Sequence, residues 1–440
     1  MTTNARTRNK RASVRALGCR LNQYEVNAIA DRLSAAGYSV VPFGEPADLG
    51  VINTCTVTNE ADAKSRNVIR RFVRTNPGAV TVVVGCYSQV GASSVADISG
   101  VDYVIGNHDK MNFLDYVGEE KVERPVIVRE RIDKEDFSLA IVGDAPFESR
   151  ANLKIQDGCD FMCAFCIIPF ARGRARSRDF DNLLAEARSL AGRGVKELIL
   201  TGVNLGTYSS CGKDFLSMVD ALAAVEGILR IRISSIEPTT IPEELFPLMA
   251  DPCHPLLPYL HVPLQSACDR TLAAMKRNYD LAEVSAFIRR ACEAVPRLCL
   301  GTDLMAGFPG ETEADFEQTC RVFLDLPFAY CHAFTFSERD GTAAAKNPDS
   351  VPMNERRRRS AHLRRLSASK RHDFYEAQVG SEAEVLIEDP KEGVWPAYTE
   401  NYVRVLLRLE RTDLANRLAH VRLLRARSEY VEAELKSLLD

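Results

Sequence analysis

Asn152-Leu-Lys-Ile-Gln-Asp-Gly-Cys159-Asp-Phe-Met-Cys163-Ala-Phe-Cys166 is the stretch that decides the architecture. Asn152 to Ile155 reads as a strand, and it opens into a loop with three cysteines spaced C-x3-C-x2-C. A structural zinc site is normally closed by four ligands, and the next cysteine, Cys211, lies far outside zinc-finger spacing. Three thiolates on a cubane iron–sulfur cluster instead leave one iron open to a ligand. Further strand-like runs follow at Lys196–Thr201, Leu229–Ser235, Pro258–Pro263, Leu298–Met305 and Ala329–Ser337, with helical segments between them. Six βα repeats are too few to close a (β/α)8 barrel, so an open partial barrel is predicted, with the cysteine loop on the face where barrel chemistry sits. Thr201, Gly202 and Asn204, then Ser235 and Glu237, His261 and Gln265, and Asp303 and Gly307 fall at the same strand ends. Together they outline a polar basin around the open iron.

Upstream, residues 14–140 repeat one plan: a short apolar strand, a cysteine, a polar turn and an amphipathic helix. Val14–Leu17 leads to Cys19, Asp48–Ile52 to Cys55 and Val80–Val84 to Cys86. The helix after Cys19 carries Val26, Ile29, Ala30 and Leu33 on one face. Strands alternating with helices predict βαβ units and a parallel sheet, whose strand C-termini share one edge. Three cysteines just past three such ends are expected to form a second shared cluster site.

Downstream, the hydrophobic period changes from 3.6 to 2 at about residue 373. Ala383–Ile387, Tyr402–Leu407 and His420–Leu424 read as strands, and Val394–Asn401 as an aromatic turn, which fits a small β-barrel. Arg172, Arg174, Arg176 and Arg178 alternate after the cysteine loop; an extended segment would put all four on one face, able to meet phosphates. A second basic run, Arg356–Arg359 with Arg364, Arg365, Lys370 and Arg371, is expected on a helix. With 60 acidic and 56 basic residues the net charge is −4, so any polyanion must be held by local patches of this kind. At 46% hydrophobic and 26% charged, the composition is that of a globular protein, with no run long enough for a membrane span. Residues 1–13 read as a flexible basic arm without the apolar core of a signal peptide, which points to the cytoplasm. Seven further cysteines, Cys211, Cys253, Cys268, Cys292, Cys299, Cys320 and Cys331, are expected as small buried hydrophobes.

The cysteine loop, with Phe165 before its last cysteine, resembles the signature of radical S-adenosylmethionine enzymes. Ile168-Pro-Phe-Ala-Arg-Gly-Arg-Ala-Arg-Ser177, His261-Val-Pro-Leu-Gln-Ser266 and Gly301-Thr-Asp-Leu-Met-Ala-Gly-Phe-Pro-Gly-Glu-Thr312 look like the methylthiotransferases. So do Leu17-Gly-Cys19-Arg-Leu-Asn-Gln-Tyr-Glu25, Ile52-Asn-Thr-Cys55-Thr-Val-Thr58 and Val84-Gly-Cys86-Tyr-Ser-Gln89. Ser266-Ala267-Cys268 departs from the family's Ser-Gly-Ser. The resemblance runs from about 14 to 435 and is greatest to the branch acting on N6-threonylcarbamoyladenosine at position 37 of tRNA. It implies three units: an N-terminal methylthiotransferase domain at 14–140, a radical domain with its basic helix at 145–372, and a TRAM-like RNA-binding barrel at 373–440. By the same resemblance, Cys159, Cys163 and Cys166 would hold a [4Fe-4S] cluster that binds and cleaves S-adenosylmethionine. Cys19, Cys55 and Cys86 would hold a second [4Fe-4S] cluster where sulfur is attached and methylated. Phe165, Thr201, Gly202, Asn204, Ser235, Glu237, Gln265 and Gly307 would line the S-adenosylmethionine site, and Arg172, Arg174, Arg176 and Arg178 would contact RNA. Implied partners are the tRNA anticodon stem-loop, an electron donor such as flavodoxin or ferredoxin, and a sulfur donor. Two alternatives stay open: a sister transferase acting on isopentenyladenosine in tRNA or on a ribosomal-protein aspartate, and a non-catalytic, zinc-bound RNA-binding protein.

Overall fold

The structure, a computed structural model, describes residues 10–141 and 149–439. The first sheet is wholly parallel. Its strands are β1 (Arg11–Ala16), β2 (Ser39–Val41), β3 (Leu49–Thr54), β4 (Val80–Gly85), β5 (Tyr103–Ile105) and β6 (Val126–Val128), in the order β2-β1-β3-β4-β5-β6. Strands β3 and β4 are buried at every residue, as a sheet covered on both faces requires. Helix α1 (Arg20–Ala35) buries Leu21, Tyr24, Val26, Ile29 and Leu33. Helix α2 (Asn59–Thr75) is capped by Thr58, whose hydroxyl accepts from the Ala61 N–H at 3.1 Å, and it buries Ile69 and Phe72. The flexible arm expected over 1–13 is corrected at its end: residues 11–13 belong to β1, because Ala12 and Ser13 are buried between β2 and β3. Residues 1–9 of that arm lie outside the described chain.

The central unit contains six parallel strands. They are β7 (Arg150–Lys154), β8 (Glu197–Thr201), β9 (Arg230–Ile233), β10 (Tyr259–His261), β11 (Cys299–Ala306) and β12 (Tyr330–Thr335). They run β7-β8-β9 and β10-β11-β12, and single parallel bridges, Ile231 to Leu256 and Ser235 to His261, join the two halves. This is the expected open barrel. Leu153, Leu198, Leu200, Ile231, Ile233, Leu260 and Leu300 face the surrounding helices and form the largest core. Their sequence neighbours point the other way, so the lumen receives Lys154, Glu197, Arg232, Tyr259, His261, Asp303 and His332. Helix α4 (Met353–Glu376) packs against β11 and β12. The basic run lies on this helix as expected and exposes Arg357, Arg358, Arg364 and Arg365, but two of its arginines are interior. Arg356 and Arg359 are 2% and 5% exposed, and Arg359 is tied to Glu311 at 2.8 Å.

The last five strands close a barrel in the order β13-β14-β15-β17-β16: β13 (Glu382–Ile387), β14 (Val394–Thr399), β15 (Arg404–Arg408), β16 (Leu418–Ala426) and β17 (Val431–Leu439). The expected turn at Val394–Asn401 is mostly strand, because Trp395 and Ala397 alternate into the barrel core. Strand β17 is not legible in the sequence because most of its residues, Glu, Ala, Leu and Lys, are strong helix formers. This barrel plugs the end of the central barrel where the strands begin. Arg230 and Arg232 donate to the carbonyls of Tyr398 at 3.2 Å and Glu400 at 3.1 Å, and the Tyr402 ring lies 4.7 Å from Tyr259. Of the seven scattered cysteines, Cys211 and Cys253 are exposed and Cys292 is half-buried; the other four are buried as expected.

Candidate active site between two cysteine sets

The loop after β7 holds Cys159, Cys163 and Cys166 by backbone bonds. The N–H groups of Cys159, Cys166 and Ala164 reach the carbonyls of Gly173 (3.2 Å), Cys163 (3.0 Å) and Met275 (2.9 Å). Gly158, at φ +71°, permits the turn; a Cβ there would sit 2.0 Å from the Arg174 carbonyl oxygen. The Phe161 N–H donates to the Cys159 sulfur at 3.4 Å, and Arg277 donates to the Cys163 sulfur at 3.3 Å. Arg277 also pairs with Glu237. Burial, with the neighbouring thiols adding to it, pushes the Cys159 thiol up to about 11 and that of Cys166 to about 12.

Cys19, Cys55 and Cys86 follow β1, β3 and β4, which are neighbours in the sheet, so the three sit side by side at its carboxyl edge. Cys55 and Cys86 are buried; Cys19 is exposed. Gly18, at φ +92°, lets the first loop pass over Cys55, whose sulfur would lie 2.6 Å from any Cβ at that position. Asn107 donates to the Cys86 sulfur at 3.5 Å. Burial first, then the charges of Cys86 and Cys19, push the Cys55 thiol up to about 12. Buried thiols of this kind bind metal by surrendering protons that they otherwise keep. Among the described residues, the trios with all ligand atoms within 4.8 Å of one another are His261–Asp303–His332 and His108–Asp109–Glu130. Each cysteine set offers three sulfur donors with no nitrogen or oxygen ligand among them, which suits an iron–sulfur cluster.

Buried charge joins the two sets. Arg172 ends the short helix α3 (Ile168–Arg172) that follows Cys166. Its guanidinium donates to Glu25 at 3.0 Å, Asp157 at 3.0 Å and Asn22 at 2.6 Å. Lys154 reaches the same two carboxylates at 2.9 and 2.6 Å, and Lys110 reaches Glu25 at 2.6 Å. Glu25 and Asp157 stay ionised: burial opposes this, and Arg172 with the lysines overrides it. Sequence reading missed this network, because its members lie on α1, β7, α3 and a loop and only folding unites them.

The arginine reading therefore needs correction. Arg172 and Arg178 are 1% and 0% exposed, and Arg178 pairs with Glu186. Arg176 is half-buried, its guanidinium 3.6 Å from Asp157. Arg174 alone of the four is exposed, and it donates to Asp160 at 2.6 Å. The physical reason is that α3 and the turn at Gly173 break the extended segment that alternation assumed.

The expected cofactor-lining residues divide in the same way. The Thr201 hydroxyl is committed to the Leu153 carbonyl at 3.0 Å. A Cβ on Gly202 or Gly307 would meet Leu205 at 2.6 Å or Arg356 at 2.3 Å, so packing alone requires glycine at both. Asn204 differs: it is 1% exposed, and its amide nitrogen is buried without a partner. Ser235 bridges to His261, and Gln265 takes φ +69° beside β11. Phe165 packs with Met275, Phe308 and Phe336. Deeper in the lumen, His261 Nε2 lies 2.9 Å from Asp303 and His332 Nδ1 lies 3.4 Å from it. His332 carried no signal in the sequence; the register that sets Asp303 opposite it supplies the contact.

Comparison with known proteins agrees with this geometry. Residues 153–323 match the radical SAM superfamily, and residues 11–106 match the family described as uncharacterized protein family UPF0004. The threonylcarbamoyladenosine tRNA methylthiotransferase of Bacillus subtilis (strain 168) is 36% identical over 434 residues, covering 95% of this chain and 94% of its own. The protein of that name from Aquifex aeolicus (strain VF5) is 36% identical over 397 residues, covering 88% and 94%. The tRNA-2-methylthio-N(6)-dimethylallyladenosine synthase of Methylobacillus flagellatus is 33% identical over 448 residues, covering 97% and 99%. The radical S-adenosylmethionine methyltransferase TsrM of Kitasatospora setae, solved with cobalamin and a [4Fe-4S] cluster, shares the fold at a TM-score of 0.55. That likeness covers 76% of this chain and 77% of the other at 15% identity. A parallel-sheet domain with three edge cysteines, an open barrel with the radical signature and relatives matching nearly end to end agree: this chain belongs to the radical S-adenosylmethionine methylthiotransferases, enzymes that use S-adenosylmethionine and [4Fe-4S] clusters.

Proposed function

We propose that this enzyme methylthiolates C2 of N6-threonylcarbamoyladenosine at position 37 of tRNA in the cytoplasm. In this reading Cys159, Cys163 and Cys166 hold one [4Fe-4S] cluster, and Cys19, Cys55 and Cys86 hold the second. When bound, these clusters and S-adenosylmethionine supply the radical, the sulfur and the methyl group. The chain's own residues orient and shield. Arg277 steadies the Cys163 sulfur and is held in turn by Glu237. The unpartnered Asn204 amide, with Phe165, Ser235, Glu237 and Gln265, is proposed to meet S-adenosylmethionine. An electron donor such as flavodoxin or ferredoxin and a sulfur donor complete the system.

The observation that carries this reading is two three-thiol sets on separate domains, locked to each other by one buried ionic network. The choice of substrate is supported by the relatives named threonylcarbamoyladenosine tRNA methylthiotransferase, two of which are 36% identical over 95% and 88% of this chain. The dimethylallyladenosine reading is kept as the second, because a relative of that name matches over 97% of the chain. Mass spectrometry of tRNA nucleosides from a deletion strain and its complemented control decides. Loss of the methylthio form of threonylcarbamoyladenosine alone is expected, and loss of the dimethylallyl product instead would move the assignment to the second reading.

The RNA grip is proposed to be the C-terminal barrel, whose Arg408, Arg422 and Arg425 are exposed, together with Arg174.

A further inference from the structure

The buried network between the two cysteine sets carries a charge imbalance. Arg172, Lys110 and Lys154 are 1%, 2% and 4% exposed, and they face two carboxylates, Glu25 and Asp157, each 1% exposed. Three cations against two anions leave one positive charge unmatched in a region closed to water. Arg176 adds to the excess at 3.6 Å from Asp157. Such an imbalance is costly unless a further anion lies nearby. The nearest candidates are the N-terminal cysteines: Arg172 lies within electrostatic reach of Cys86 and Cys19. Two side-chain amides connect them. Asn107 donates to the Cys86 sulfur at 3.5 Å and accepts from Lys110 at 2.7 Å, while Asn22 accepts from Arg172 at 2.6 Å and stands 3.9 Å from the Cys19 sulfur. Three thiolates around a [4Fe-4S] core carry net negative charge, and reduction adds one more. Burial, with Arg172 and Lys154 adding to it against Glu25, pushes the Lys110 ammonium down to about 8, as expected where cations outnumber anions.

We propose that Arg172, with Lys110 and Lys154, is a positioning device that supplies the counter-charge of the N-terminal cluster and raises its reduction potential. This rests on the assignment of Cys19, Cys55 and Cys86 as ligands. Because Arg172 belongs to the helix that follows Cys166, the cysteine loop of one site sets the electrostatics of the other. Fixed positive charge favours the reduced cluster, so removing it lowers the potential, and removing a neighbouring carboxylate raises it.

The test uses the full-length chain with Cys159, Cys163 and Cys166 replaced by alanine, reconstituted anaerobically so that one cluster titrates, and followed by electron paramagnetic resonance. Arg172→Gln, Lys110→Gln and Lys154→Gln are expected to shift the potential downward. Glu25→Gln and Asp157→Asn are expected to shift it upward, and Arg172→Lys should remain near the parent. A merely structural network predicts otherwise: cation and carboxylate variants would shift together, or none would shift, and either result overturns the inference. If Arg172→Gln takes up no cluster, the opposed pair Lys110→Gln and Glu25→Gln carries the decision. A parent that loads no cluster would overturn the ligand assignment itself and the inference with it.

Discussion

At the scale of single residues, the two cysteine sets are assigned different work, so their loss must differ. Replacing Cys159, Cys163 or Cys166 with alanine should abolish formation of 5′-deoxyadenosine, with or without tRNA, because thiolates are what hold such a cluster. Replacing Cys19, Cys55 and Cys86 together should leave that cleavage intact under dithionite, lower iron by about half and yield no methylthio product. Wild-type product from the N-terminal triple variant would return those three cysteines to packing. A second residue prediction concerns acid. Burial alone would raise Glu197, but Arg232 and Arg230 hold its carboxyl down at about 2, from an ordinary value of 4.5. Its charged form therefore contributes stability above about pH 4.5, and this is lost as pH falls through 2, on the order of 3 kcal/mol in all. Glu197→Gln should be the less stable protein at pH 6, and the gap should narrow in urea titrations at pH 3. A gap that does not change with pH would mean the ion pair does not carry the effect.

At the scale of elements, the C-terminal barrel has a built-in reporter. The chain has one tryptophan, Trp395, 2% exposed on β14 in the core of that barrel. Leu407, on β15, is fully buried beside it in the same cluster. Leu407→Ala should destabilise the barrel by about 2–5 kcal/mol through reduced burial and a residual cavity. Tryptophan fluorescence should then shift its midpoint to lower denaturant while the cluster absorbance of reconstituted protein holds its own. Coincident shifts of both signals would show that the plug and the central barrel unfold as one unit. That outcome has a structural route, since Arg230 and Arg232 donate to carbonyls at the end of β14 and just after it. Removing residues 373–440 would strip those two buried guanidiniums of their carbonyl acceptors and leave them only Glu197, so point substitutions are the cleaner probe of this unit.

At the scale of the whole molecule, the proposed RNA contact keeps only Arg174 of the arginines that alternate after the cysteine loop, since Arg172 and Arg178 are interior and Arg176 is half-buried. In the proposed reading, the load passes to the last domain. Arg408→Gln, Arg422→Gln and Arg425→Gln should each reduce the slope of log affinity for tRNA against log salt by about one unit for every phosphate the variant no longer neutralises. Cluster content should not change. Equal slopes for the triple variant and wild type across a salt series would place the RNA grip elsewhere.

The sequence by itself determined the order of domains, the parallel character of both α/β units and the location of six cysteines at strand ends. Hydrophobic period and residue spacing are local properties, and they survive whatever the chain does at long range. It also determined the family, because the motifs around those cysteines are contiguous. What it could not determine was the destination of charge. Arg172, Arg178, Arg356 and Arg359 read as surface residues from their neighbours along the chain, yet each is interior because a carboxylate on another element meets it: Glu25 and Asp157, Glu186, Glu338, and Glu311. An ion pair over such distances along the chain leaves no periodic trace, since either partner alone is an ordinary charged residue. Only the tertiary structure brings the partners together and excludes water from between them, and that exclusion turns ordinary arginines into fixed charge beside a cluster site.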